Sequence, residues 1–186
     1  LDTYIQADTS KVVATFEDKG LIELIVELGP DALGLLPAGV KNDPQAVSET
    51  IVNNVRKILT DERMMNPKYY DHVSDLLTAL IEQRRQDAID YENYLAQLIE
   101  LARKARPNSD SPVHTGLRAL IDNLGDENLA RRIDIVIHSV KPHHWIGSKL
   151  KERVVWIALR AELPDEFGDD LLDDLLDVVK AHDEYY

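Results

Sequence analysis

Apolar residues recur at helical spacing along most of this chain, in blocks separated by proline, glycine and capping side chains. Leu21 to Leu28 is dense in them (Leu21, Ile22, Leu24, Ile25, Val26, Leu28), with Glu23 and Glu27 as its charges. That predicts a short buried helix stopped by Gly29-Pro30, with one further turn from Asp31 to Leu36 before Pro37 and Gly39 open a loop. Asp43-Pro44 is a cap-plus-proline start, because proline's missing N–H costs nothing at the first helical position. Val47, Ile51, Val55, Ile58 and Leu59 form the stripe behind it. Asn66-Pro67 repeats the signal ahead of Tyr69, Val73, Leu76, Leu77, Leu80 and Ile81. Asp90 caps the next helix, with Asn93 where a capping box carries Glu or Gln. Its stripe is Tyr91, Tyr94, Leu95, Leu98, Ala102 and Ala105. The two helices read as a hairpin with one face to bury.

The stretch Arg106-Pro107-Asn108-Ser109-Asp110-Ser111-Pro112 is polar and proline-bearing, the clearest internal joint. Ser111-Pro112 predicts a helix carrying Leu117, Leu120, Ile121 and Leu124 to Gly125 at a C′ position. Asp126 caps the following one, with Leu129, Ile133, Val136, Ile137 and Val140 as its stripe. Ile133, Ile135 and Ile137 also alternate as a strand would, but the caps and Arg131-Arg132 favour helix. Lys141-Pro142-His143-His144-Trp145 reads as a loop. Leu150, Val154, Ile157, Ala158 and Ala161 define another helix, and Trp156 and Leu159 give it a second apolar face, as if buried from two sides. Pro164 ends it. The last helix starts near Gly168 and pairs leucines with aspartates, its acidic start and Lys180 suiting the helix dipole. The prediction is an all-α multi-helix bundle of about seven helices with no strand. Residues 20–186 make the domain, with a sub-division near 106–112. Residues 1–19 read as an arm or linker from a preceding domain, where Lys11 to Phe16 fits a short strand or an extended arm.

Composition narrows the class. At 186 residues the chain is long enough for a proper core. It begins at Leu1 rather than methionine, which reads as a piece of something longer. It has no cysteine, so disulfides and thiolate metal sites are out, and no apolar run approaches the ~20 residues a membrane span needs. A cytoplasmic, reduced setting is expected. The net charge of −13 repels phosphate backbones. Acid concentrates from Glu162 to Asp177, while basic residues gather at Arg84-Arg85, Arg103 to Arg106, Arg131-Arg132 and Lys149 to Arg153. A local DNA contact fits that pattern better than a dedicated DNA-binding domain.

The wording of the central stretch is specific: NNVRKIL…DE…NPKYYD…LLTALIEQRRQDAIDYENYL, from Asn53 to Leu95. It resembles the C-terminal helical domain of the R subunit of type I restriction-modification enzymes. LIELIVELGPDA (Leu21 to Ala32) looks like the start of that domain. PVHTGLRALIDNLG (Pro112 to Gly125), WIGSKLKERV (Trp145 to Val154) and the tail ending in Tyr185-Tyr186 look like its end. The likeness runs in order from about Gly20 to Tyr186. It implies a parent subunit that translocates DNA with ATP and Mg²⁺ and cleaves it. It also implies that this part holds the parent to a methyltransferase core of modification and specificity subunits, with DNA reached through the assembled complex.

Catalytic motifs are missing from the chain itself. No G-x-x-x-x-G-K-[ST] phosphate cradle occurs. Restriction-type nucleases order PD before (D/E)xK, but here the E-x-K (Glu17-Asp18-Lys19) precedes Pro30-Asp31. His138, His143 and His144 lie close in sequence, yet neighbouring histidines in a proline-bearing loop read as solvated. The acidic last helix lacks EF-hand spacing. The expectation is therefore no catalytic, cofactor-binding or metal residue. The candidate interface is Arg84, Arg85, Trp145, Lys149 and Arg153: a basic helix end, a loop tryptophan taken as an exposed anchor, and a basic helix start. The rival readings are a DNA-contacting module built on the basic clusters and a helical interaction domain of an unrelated system.

Overall fold

The computed structural model describes residues 20–106 and 113–186. Nine α-helices and two 3₁₀ turns, with no strand, account for the regular structure of the described residues. The chain is all-α. The arm expected over residues 1–19 lies outside the described residues. No described helix is long and apolar enough to cross a membrane.

The fold divides into two compact units, one within Leu1–Thr60 and Val73–Pro107, the other within Asp61–His72 and Asn108–Tyr186. One boundary falls at the proline-bearing joint. The assignment of Asp61–His72 to the second unit has no sequence signal.

The first unit holds α1 (Leu21–Leu28), a 3₁₀ turn (Gly29–Leu35), α2 (Ala38–Lys41), nearly all of α3 (Pro44–Glu62), most of α4 (Pro67–Arg85) and α5 (Tyr91–Ala105). Gly29 closes α1 at φ +62°, in the left-handed region where a side chain is strained. α5 starts at the predicted cap: Asp90 accepts from the Asn93 backbone at 3.0 Å, and the Asn93 side-chain amide donates to the same carboxylate at 2.6 Å rather than closing a capping box on the Asp90 N–H. Ala102 and Ala105 are fully buried, and α1 packs closely on α5. The expected hairpin is therefore not the main pairing, because α5 packs most closely on α1 and the 3₁₀ turn. The α4 stripe otherwise holds, with Val73, Leu77 and Leu80 buried, while Leu76 is exposed.

The second unit holds α6 (Thr115–Leu124), α7 (Glu127–Val140), α8 (Lys149–Glu162), α9 (Asp169–Lys180) and a final 3₁₀ turn (Asp183–Tyr185). α7 packs on α6 and α8, and α9 lies against both of those helices. Leu120, Ile133, Ile137, Leu159, Leu172 and Val179 share the core. Gly125 caps α6 at φ +73°, and Asp126 accepts from the Asn128 and Leu129 backbone N–H groups at 2.8 and 3.0 Å. Ile133 and Ile137 are buried and Ile135 is not, which is a helical pattern and not a strand's. Ser111-Pro112 lies outside the described residues; the helix begins at Thr115, capped by His114, whose Nδ1 accepts from the Leu117 N–H at 3.1 Å.

α4 begins at Pro67 as expected, but Asn66 does more than cap it. Its Oδ1 is 3.4 Å from the Tyr69 N–H, a long cap, and 3.0 Å from the Asn123 amide that donates to it. The Asn66 amide donates to Asp122 at 2.7 Å, and Lys68 Nζ donates to the Asn123 carbonyl at 2.7 Å. The start of α4 is thereby fastened to the end of α6 within the second unit.

Candidate functional site

Two features of the second unit stand out, an apolar helix face and a partly buried polar hub. The face lies on α8. Leu150, Val154 and Ile157 are 84%, 46% and 55% exposed, and Ala161 continues the same row at i, i+4, i+7 and i+11. The residues facing the core are instead Val155 and Leu159. Burial from both sides is thus corrected: the Val155–Leu159 side is covered, and the longer Leu150–Ala161 stripe faces out. Exposing three aliphatic side chains in a row forgoes roughly 1.5–3 kcal/mol for each that could be fully buried. Lys149 and Arg153 border this stripe and are exposed. Arg153 stacks its guanidinium 4.1 Å from the centre of the Trp156 ring, and the Trp156 N–H donates to Asp173 at 2.8 Å. The cation is held at the rim of the face rather than free to fold over it.

Trp145 is not part of any surface. The structure overturns its role as an exposed anchor: the side chain is 1% exposed, and its Nε1–H donates to the Tyr185 carbonyl at 2.7 Å. The loop turns inward because His144 and Gly147 take φ values of +50° and +81°. Lys151 pins it by donating to the His143 carbonyl at 2.7 Å, and Glu152 accepts from the Gly147 N–H at 2.7 Å. Arg84 and Arg85 lie in the first unit. Arg84 donates to the Ile89 carbonyl at 3.1 Å and sits 4.0 Å from Asp87, and Arg85 is 3.9 Å from Glu82. In two of the other basic clusters Arg103 lies beside Glu100, Arg131 beside Glu127 and Arg132 beside Glu162.

The polar hub centres on Asp134 of α7, whose side chain is 15% exposed. Tyr185 donates its hydroxyl to Asp134 Oδ1 at 2.8 Å. The same oxygen lies 3.2 Å from His114 Nε2 and 3.7 Å from His138 Nε2. Burial, then the bond to Asp134 and its charge, drive the Tyr185 phenol well above its ordinary range, so it remains a donor. Because His114 Nδ1 accepts the Leu117 N–H, the neutral ring carries its proton on Nε2, facing Asp134. Glu184 sits 3.8 Å from His114 Nδ1 and accepts from Thr115 N and Oγ1 at 3.1 and 2.6 Å. Burial raises the Glu184 pKa, but the Thr115 hydroxyl, backbone N–H groups and His182 outweigh it and hold the carboxyl below its usual value. Its contribution to stability is present above the ordinary Glu range and fades as pH falls through that lowered value.

Gly116 makes room for this arrangement. A Cβ there would come 2.5 Å from the Tyr185 ring, which is fully buried and tied at its hydroxyl and its carbonyl. Gly116→Ala is expected to lower stability by about 1–2 kcal/mol, the overpacking cost exceeding the gain in helix propensity. Urea unfolding followed by circular dichroism measures it. Sequence reading missed this hub because its members are brought together by the fold from His114, Asp134, His138 and Tyr185, with no local spacing beyond the i, i+4 pair on α7. The histidines grouped by sequence separate instead, His143 and His144 meeting each other with ring centres 4.1 Å apart and planes tilted by 51°. Comparison of the chain with protein-family models, curated proteins and solved structures finds no match.

Proposed function

We propose that this chain is a non-catalytic helical assembly domain, the C-terminal part of a type I restriction enzyme R subunit. In that role it docks an ATP-dependent DNA translocase and endonuclease onto the methyltransferase core of modification and specificity subunits. The observation that carries the docking role is the outward apolar stripe of α8, bordered by Lys149 and Arg153. An apolar centre with a charged rim is how protein–protein interfaces are built, and the partner this one fits offers apolar groups ringed by carboxylates. The ordered sequence resemblance supplies the identity of the partner. ATP and Mg²⁺ belong to the parent subunit's motor and nuclease, and the setting is the cytoplasm.

The DNA-contacting reading is less favoured, because Arg84, Arg85, Arg103, Arg131 and Arg132 stand beside carboxylates, although these pairs are exposed. Phosphate binding draws its strength from cations that release counterions, and a cation beside a carboxylate begins with part of its charge offset. The test is a titration of the chain against the purified modification–specificity core of its own system, with duplex DNA as the parallel ligand. Saturable binding to the protein core and none to DNA is expected. Binding to DNA alone, weakening steeply with salt, would overturn the assignment, as would Mg²⁺-dependent DNA cleavage by the purified chain.

A further inference from the structure

We infer that His114, Asp134 and His138 form a binding site for a divalent transition-metal ion of the Zn²⁺ class, independent of the docking role. Their ligand atoms all lie within 4.8 Å of one another, with Asp134 Oδ1 at 3.2 Å from His114 Nε2 and 3.7 Å from His138 Nε2. Zinc bound at its usual ~2.0–2.2 Å holds tetrahedral N and O ligands roughly 3.3 Å apart, so the half-exposed His138 must bring its ring nitrogen inward to complete the set. Asp134 and His138 are one turn apart on α7, the i, i+4 placement that lets one helix face offer two ligands. His114 is fixed at the start of α6. Two imidazoles and one carboxylate select Zn²⁺, Co²⁺ or Ni²⁺ over Mg²⁺ or Ca²⁺, which prefer oxygen.

The electrostatics of the hub point the same way. Asp134 is largely buried, and among the described residues the only groups in ion-pair range of it are His114 and His138, whose charge is conditional on a proton. A bound divalent ion would add a permanent charge opposite this carboxylate. Part of an outer shell is in place. Tyr185 donates to Asp134 Oδ1 at 2.8 Å, leaving its second lone pair for the ion. Glu184 stands 3.8 Å from His114 Nδ1, beyond hydrogen-bond distance, on the side from which a carboxylate would orient a ligating histidine once Nδ1 carries the proton. Capture of an ion at His114 Nε2 moves that ring's proton to Nδ1, toward Glu184, and gives up the hydrogen bond from the Leu117 N–H. No proton is released from a neutral ring. The ion thereby links the start of α6 to α7 beside the C-terminal turn.

The test uses the untagged chain, stripped with EDTA and titrated with ZnCl₂ by calorimetry, with thermal melting in parallel. One equivalent is expected to bind and raise Tm, and the ¹⁵N pattern of His114 should change to the Nδ1–H tautomer. His138→Gln, at an exposed side chain, should keep the circular-dichroism spectrum and weaken binding at least tenfold. His143→Gln/His144→Gln should leave it unchanged. Absence of saturable one-to-one binding would overturn the assignment. So would affinity that survives His138→Gln but falls in the His143/His144 variant, which would mark adventitious surface binding only.

Discussion

Trp145→Ala is expected to destabilise the second unit by about 3–5 kcal/mol, the range for removing a fully buried aromatic side chain. The indole is 1% exposed and sits in the core that also holds Val155, Leu159, Leu172 and Tyr185. Its N–H is the partner of the Tyr185 carbonyl at 2.7 Å, so truncation leaves a cavity and an unpaired buried acceptor together. The Tyr185 backbone is then released at one end while Asp134 still holds its hydroxyl. Trp145→Phe separates the two contributions, since it keeps most of the packing and loses only the hydrogen bond. Urea unfolding of both variants measures them; a loss below about 1 kcal/mol for the alanine variant would contradict the inward placement of this loop.

Asn66→Ala is expected to cost about 2–3 kcal/mol, more than a helix cap alone, which is worth about 0.5–2 kcal/mol. The excess comes from Asn123 and Asp122. Each bonds to Asn66, at 3.0 and 2.7 Å, and Asn66 and Asn123 are both buried. Truncation strands a buried amide donor, which retains only its bond to the Ala119 carbonyl at 2.8 Å. A double-mutant cycle with Asn123→Ala isolates the contact. The double variant should lose clearly less than the sum of the singles, because each deletion already removes the shared bond. Additive losses would show that the two asparagines act separately.

Helix identity was legible in the sequence wherever a cap and a stripe coincided. Asp90, Asp126, Gly125 and the prolines at 44 and 67 mark ends that the structure keeps, because these signals act over three or four residues. Periodicity says that an apolar face exists, not what covers it. α8 carries two such faces, and only packing decides that Val155 and Leu159 point inward while Leu150, Val154 and Ile157 point out. α5 similarly shows the face it buries but not that α1 is its closest partner. Trp145 misled because a proline-bearing loop is ordinarily a surface feature, and nothing local foretells the left-handed turn at His144. The Asp134 hub depends on contacts that span 51 residues between Asp134 and Tyr185.

The proposed docking role stands or falls on the α8 face. Leu150→Glu/Ile157→Glu alters two exposed side chains of that stripe and should leave the circular-dichroism spectrum and melting temperature close to those of the unaltered chain. It places two charges where the partner's apolar groups would lie, so affinity for the modification–specificity core should fall at least tenfold. The most direct measurement is the dissociation constant of that complex for the two proteins side by side. A folded double variant that binds far more weakly is the predicted result, and a folded double variant that binds the core as tightly as the unaltered chain would contradict docking through this face.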